Sequence, residues 1–179
     1  MTNTCPVCNA ETIAAYGDKE SDILLVGSSP SEDEVKYGRP FVGSTIQIFK
    51  KEMFKNAHID LSSCRQVFAE FHDKLKKKDC LLISLSKVEK EFAEKKFVIL
   101  VGSSAVTAFT GLSILNVNGF EVTDEVMEYQ SDLIGDKYPD LLFFAISSPQ
   151  TVFKSLGETR FGLQNLGKWI EEKRYGNGR

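Results

Sequence analysis

Two segments of this chain end in nearly the same words, "DILLVGSSP" at residues 22–30 and "FVILVGSSA" at 97–105. In each, an unbroken run of Ile, Leu, Val or Phe stops at Gly-Ser-Ser. Apolar runs without polar alternation belong to strands buried on both faces, as in parallel sheets covered by helices. "DLLFFAISSP" at 140–149 ends in the same way, and "RQVFAEF" at 65–71 reads as a further strand. Helical periodicity fills the intervals. "STIQIFKKEMFKNA" (44–57) carries Ile46, Ile48, Phe49 and Phe54 at helical spacing, with Ser44 or Thr45 as a cap. "DCLLISLSKVEKEFAEK" (79–95) places Leu82, Leu85, Val88 and Phe92 on one face. "SAVTAFTG" is a short helix stopped by Gly111, and "TRFGLQNLGKWIEEKR" (159–174) is the closing helix. Residues 114–130 read as a hairpin or irregular excursion with an Asn-Gly turn at 118. This order predicts an α/β fold, a three-layer α/β/α sandwich around a short, mostly parallel four-stranded sheet.

Open α/β sheets bind ligands outside the carboxyl ends of their strands. Three predicted strands exit through small residues: Gly27-Ser28-Ser29-Pro30, Gly102-Ser103-Ser104 and Ser147-Ser148-Pro149. Small residues let a ligand approach backbone N–H groups closely. Turn chemistry explains each exit separately; their likeness points to a shared pocket.

The 179 residues fit one domain with a full core. A net charge of −3 means that any nucleic-acid-binding face is local. No apolar run reaches the ~18 residues that cross a membrane. The N-terminus lacks the basic-then-apolar order of a signal peptide, so a soluble, intracellular, cytoplasmic protein is expected. Cys5-Pro-Val-Cys8 forms a C-x-x-C knuckle, and Cys64 and Cys80 complete the four cysteines. In a reducing compartment such a pair more often binds metal than closes a disulfide. The expected organisation is an N-terminal metal-binding knuckle (1–20), a main domain (21–175) and a flexible tail (176–179).

The order C-x-x-C, apolar strand, G-x-x-P, acidic stretch, G-R-P-F-V-G and helix resembles the uracil-DNA glycosylase superfamily, most closely its family 4 and 5 enzymes. Their first motif, roughly G-E-A-P-G followed by acidic residues and G-x-P-F-V-G, corresponds to Gly27-Ser28-Ser29-Pro30-Ser31, Glu32-Asp33-Glu34 and Gly38-Arg39-Pro40-Phe41-Val42-Gly43. "NAHIDLSSCRQVF", "VILVGSSAVTAFTG" and "SSPQTVFKSLGETRFGLQNLGKWI" match later segments, so the resemblance covers most of the chain.

Such enzymes extrude a base from DNA into a pocket. The resemblance implies that Phe41 stacks on the base, and that the pocket comprises Gly27, Ser28, Ser29, Pro30, Phe41, Phe68 and Ser148. Three polar jobs are altered. Phe68 stands where the family has the Asn of T-N-V, which reads the base edge, and phenylalanine has no donor or acceptor. Ser28 stands at the carboxylate of G-E-A-P-G, and serine cannot act as a carboxylate base. Ser148 stands at the His of H-P-S. Ser28 and Ser148 remain the candidate catalytic residues. The family's loop after the second strand is shorter and basic here, so Lys74, Lys76, Lys77 and Lys78 are candidate DNA-phosphate contacts.

Family 4 enzymes hold a [4Fe-4S] cluster, and Cys5, Cys8 and Cys80 match three of its four cysteines. By segment order His72 takes the remaining place, giving a Cys3His set suited to structural zinc. Cys64 is the alternative, suited to an iron–sulfur cluster, but it falls at the opposite end of the predicted strand. Two functions stay open. One is a glycosylase-like protein without uracil excision, binding DNA or a replication or repair protein. The other is an active glycosylase that excises a different damaged or modified base.

Overall fold

The computed structural model describes residues 4–70 and 78–176. Six strands form one sheet in the order β1-β3-β2-β4-β6-β5. The four central strands are β3 (Arg65–Phe68), β2 (Ile23–Gly27), β4 (Phe97–Val101) and β6 (Leu142–Ile146). They run parallel and correspond to the four expected from sequence. Two short antiparallel edge strands, β1 (Tyr16–Gly17) and β5 (Phe120–Glu121), bring the number to six. Each edge strand has only two residues, too few for a pattern of alternation to show in sequence.

The pleat of β2 sorts its side chains between two cores. Ile23 and Leu25 point to the layer of α2 (Ser44–Ala57) and α8 (Leu156–Tyr175), where they join Phe49, Met53, Leu163, Leu166 and Trp169. Leu24 and Val26 point to the opposite layer, with Leu85 and Val88 of α3 (Lys78–Glu89), Val106 and Phe109 of α4 (Ser103–Thr110) and Val126 of α6 (Thr123–Tyr129). Burial on both faces explains the unbroken apolar runs. Fully burying one such side chain contributes about 1.5–3 kcal/mol.

Several local expectations are corrected. In α2 the buried stripe is Ile46, Phe49, Met53 and Ala57, while Ile48 and Phe54 are exposed. Neither Ser44 nor Thr45 caps that helix; Gly43 stands at its N-cap, without a side-chain hydrogen bond. Helix α3 ends at Glu89, earlier than expected, and its Leu82 is exposed. Phe92 is buried beyond the helix, edge-on to Phe109, Tyr138 and Phe143. Of the hairpin or irregular excursion expected at 114–130, the structure shows no hairpin but two short helices, α5 (Ile114–Val117) and α6, flanking β5. The chain turns there because buried Asn118 accepts the Ser147 N–H through Oδ1 and donates through Nδ2 to the Glu158 carbonyl. That side chain is a tertiary bridge rather than a hairpin turn.

Helix α1 (Glu32–Tyr37) was absent from the sequence expectations. Its signal was present: Ser31 and Glu34 form a capping box, each side chain bonding the other's backbone N–H. A short seventh helix, α7 (Thr151–Lys154), follows the third small-residue exit.

Candidate functional site

The exits of β2, β4 and β6 converge on a cavity of about 250 Å³. Its lining includes Gly27, Ser28, Ser29, Phe41, Phe68 and Ser148, six of the seven predicted pocket residues, whereas the buried Pro30 is not among them. Val101, Gln150 and the acidic residues Glu32, Asp33 and Glu34 also line it. None of those three acids was a predicted site residue, although they occupy the acidic stretch that α1 swings over the strand exit.

Phe41 and Phe68 form one apolar wall. Their rings are parallel within 11°, with centroids 6.1 Å apart. They press on the β2 exit, where a Cβ at Gly27 would lie 2.9 Å from the Phe68 ring and 3.2 Å from Phe41. Only glycine permits so close an approach. Phe41 itself sits at φ 52°, in the left-handed region that is costly for a bulky side chain.

Glu34 supports that conformation. Its Oε1 accepts the Phe41 N–H at 2.7 Å, while Oε2 accepts the Ser31 N–H at 2.8 Å and the Ser31 hydroxyl at 2.7 Å. This carboxylate is only 5% exposed. Charge-assisted bonds to a buried carboxylate are stronger than neutral ones. Its acceptor sites tie the start of α1 to the base of the cavity.

The two candidate serines occupy different settings. The Ser28 hydroxyl donates to the Val101 carbonyl and accepts the Ala105 N–H, each at 3.2 Å, bridging the β2 exit to the turn between β4 and α4. Gly102, at φ 93°, leaves room for it, since a Cβ there would lie 2.7 Å from the Ser28 oxygen. Ser28 therefore acts as a structural clasp. Ser148 is half-buried, its hydroxyl 3.4 Å from that of Thr151. Phe153, on α7 beyond Gln150, is a largely exposed aromatic that sequence reasoning missed.

Away from the cavity, the thiols of Cys5, Cys8 and Cys80 lie within 4.8 Å of one another. The Cys5 and Cys80 sulfurs are 3.8 Å apart and both residues are fully buried. Three converging soft donors fit zinc or an iron–sulfur cluster. Cys64 is not with them. It packs in the core beneath α2 and α8, with its sulfur 3.5 Å from the Asp60 carbonyl. Burial, reinforced by Asp60, pushes its thiol up to about 12. Its distance from the Cys5, Cys8 and Cys80 group sets it apart as a ligand. The position of His72 lies outside the described residues, as do those of Lys74, Lys76 and Lys77. Lys78 opens α3.

The cavity lies outside the carboxyl ends of parallel strands, where open α/β folds place their ligands. The family model of the uracil DNA glycosylase superfamily matches residues 14–167. The chain belongs to that superfamily, and is glycosylase-like in fold. A search of curated proteins finds no match. No helix among the described residues is long and apolar enough to cross a membrane.

Proposed function

We propose that this chain is a DNA-binding member of the superfamily that holds an extruded base without hydrolysing the glycosidic bond of uracil. The observation that carries this reading is the pairing of Phe68 with Phe41 in the cavity wall. A ring occupies the position where the resemblance implies an edge-reading amide, so uracil's polar edge would go unpaired there. Leaving buried polar groups unpaired costs about 1–3 kcal/mol each. The Ser28 hydroxyl is already engaged by Val101 and Ala105, which argues against its activating a water.

DNA is the partner that superfamily membership supports. The lysines at 74, 76, 77 and 78 supply phosphate contacts in this reading. The resemblance to families 4 and 5 and the placement in a replication or repair assembly belong to the same proposal. Cys5, Cys8 and Cys80, with His72 as fourth ligand, would hold structural zinc, with a [4Fe-4S] cluster as the alternative. Either would pin the N-terminal knuckle to the main domain.

The test uses single- and double-stranded oligonucleotides bearing uracil, hydroxymethyluracil or hypoxanthine, followed by alkaline cleavage of abasic sites. Salt-sensitive retention without strand breaks is expected. Breaks at uracil that disappear in Phe41→Ala would overturn the proposal.

A further inference from the structure

Among the described residues that line the cavity there are three carboxylates and no Lys, Arg or His. Glu34 is engaged by Ser31 and Phe41. Glu32 and Asp33 are exposed at the rim, with Asp33 packed beside Gly43 at the start of α2. A concave site lined by one sign of charge concentrates ligands of the opposite sign. The Phe41–Phe68 pair lines the same cavity, and aromatic rings attract cations that reach their faces. The acidic rim and the aromatic wall therefore favour the same kind of ligand, a flat ring bearing positive charge. They do not suit uracil, whose polar edge finds no amide at position 68.

We propose that the cavity selects an extruded base carrying a positive charge, the class produced when a purine ring nitrogen is alkylated. This rests on the base-holding reading given above. At about 250 Å³ the cavity suits one base, being smaller than the ~300–1,000 Å³ typical of sites for larger ligands. Such a base is recognised by charge and stacking, and so needs no edge-reading amide at position 68.

The experiment measures binding of the full chain to duplexes that place 7-methylguanine, guanine or uracil opposite an abasic site. A 2′-fluoro sugar under the methylated base blocks its spontaneous loss. Fluorescence anisotropy reads the affinity ratios. 7-Methylguanine is expected to bind about tenfold more tightly than guanine, the scale of one favourable cation–ring contact. Asp33→Asn and Glu32→Gln, both at exposed positions, are expected to bring that ratio toward one. Binding of methylated and unmethylated guanine with equal affinity overturns the inference. If either base still binds more tightly than fully paired duplex, and Phe41→Ala removes that excess, the base-holding reading survives the loss. If no extruded base gains over paired duplex, both fall together. A preference for uracil over 7-methylguanine also overturns the inference.

Discussion

The Phe41 backbone N–H donates to the Glu34 carboxylate at 2.7 Å, across seven positions of sequence. That bond joins the acidic stretch to the P-F-V-G segment and holds Phe41 in its left-handed conformation. Glu34 therefore shapes the cavity from behind. Glu34→Ala would leave the two backbone donors, Ser31 and Phe41, without their acceptor. The buried Phe41 N–H, left unpaired, costs about 1–3 kcal/mol, whereas the part-buried Ser31 N–H can turn to water. Urea denaturation is expected to show a loss in that range, and limited proteolysis to cut first between residues 31 and 43. Glu34→Gln, which keeps one acceptor oxygen, should recover part of the stability.

Gly27 is fixed by the two rings that meet it. A methyl group there would sit 2.9 Å from Phe68 and 3.2 Å from Phe41. Gly27→Ala is expected to cost about 1–3 kcal/mol, the range for overpacking a tight core. Phe68→Ala, which as a buried truncation costs about 3–5 kcal/mol in the parent, should cost less in the Gly27→Ala background, because it removes the closer ring. A thermal-denaturation double-mutant cycle measures the coupling; strict additivity would mean that the rings do not limit the site.

The cysteines divide into two chemical classes. Cys64, with its thiol pushed up to about 12, is expected to resist iodoacetamide at pH 8 until the protein unfolds. Cys80→Ala should abolish bound metal, measured by elemental analysis, whereas Cys64→Ala should leave metal content intact and lower only stability. Metal loss in Cys64→Ala would contradict this division. A visible charge-transfer band in the purified protein would select the iron–sulfur alternative over zinc.

Glu52 and Arg160 join α2 to α8 through a two-bond contact, with one bond at 2.8 Å and the other at 3.1 Å. The Arg160 hydrogen bond holds the Glu52 carboxyl below its ordinary value of 4.5, outweighing the opposing effect of burial. A carboxyl depressed in the folded state stabilises the fold fully above its unfolded value and loses that effect as pH falls through the folded one. Glu52→Gln is therefore expected to be less stable than the parent at pH 7. The two stability curves should converge as pH drops below 4.5. A constant gap down to strongly acidic pH would show that the pair acts through packing rather than charge.

The central strands were legible because burial on both faces leaves an unbroken apolar run, as in Ile23–Gly27 and Phe97–Val101. The three small-residue exits and the P-F-V-G segment located the cavity for the same local reason: tight turns and close backbone approach require particular residue types. The C-x-x-C spacing marked Cys5 and Cys8 as candidate ligands, and folding brings Cys80 to them. The tertiary structure decided which partners those residues meet. Ser28 was a candidate catalytic residue, yet Val101 and Ala105, more than 70 positions away, engage its hydroxyl. Cys64 was a possible ligand until folding placed it beneath α2, away from Cys5, Cys8 and Cys80. Glu32 and Asp33 read only as the acidic stretch of the motif, and the path of α1 brings them to the cavity. Local sequence encodes conformational preference and burial pattern, while contacts between distant segments depend on how the layers pack, and the chemistry of this cavity lies mostly in those contacts.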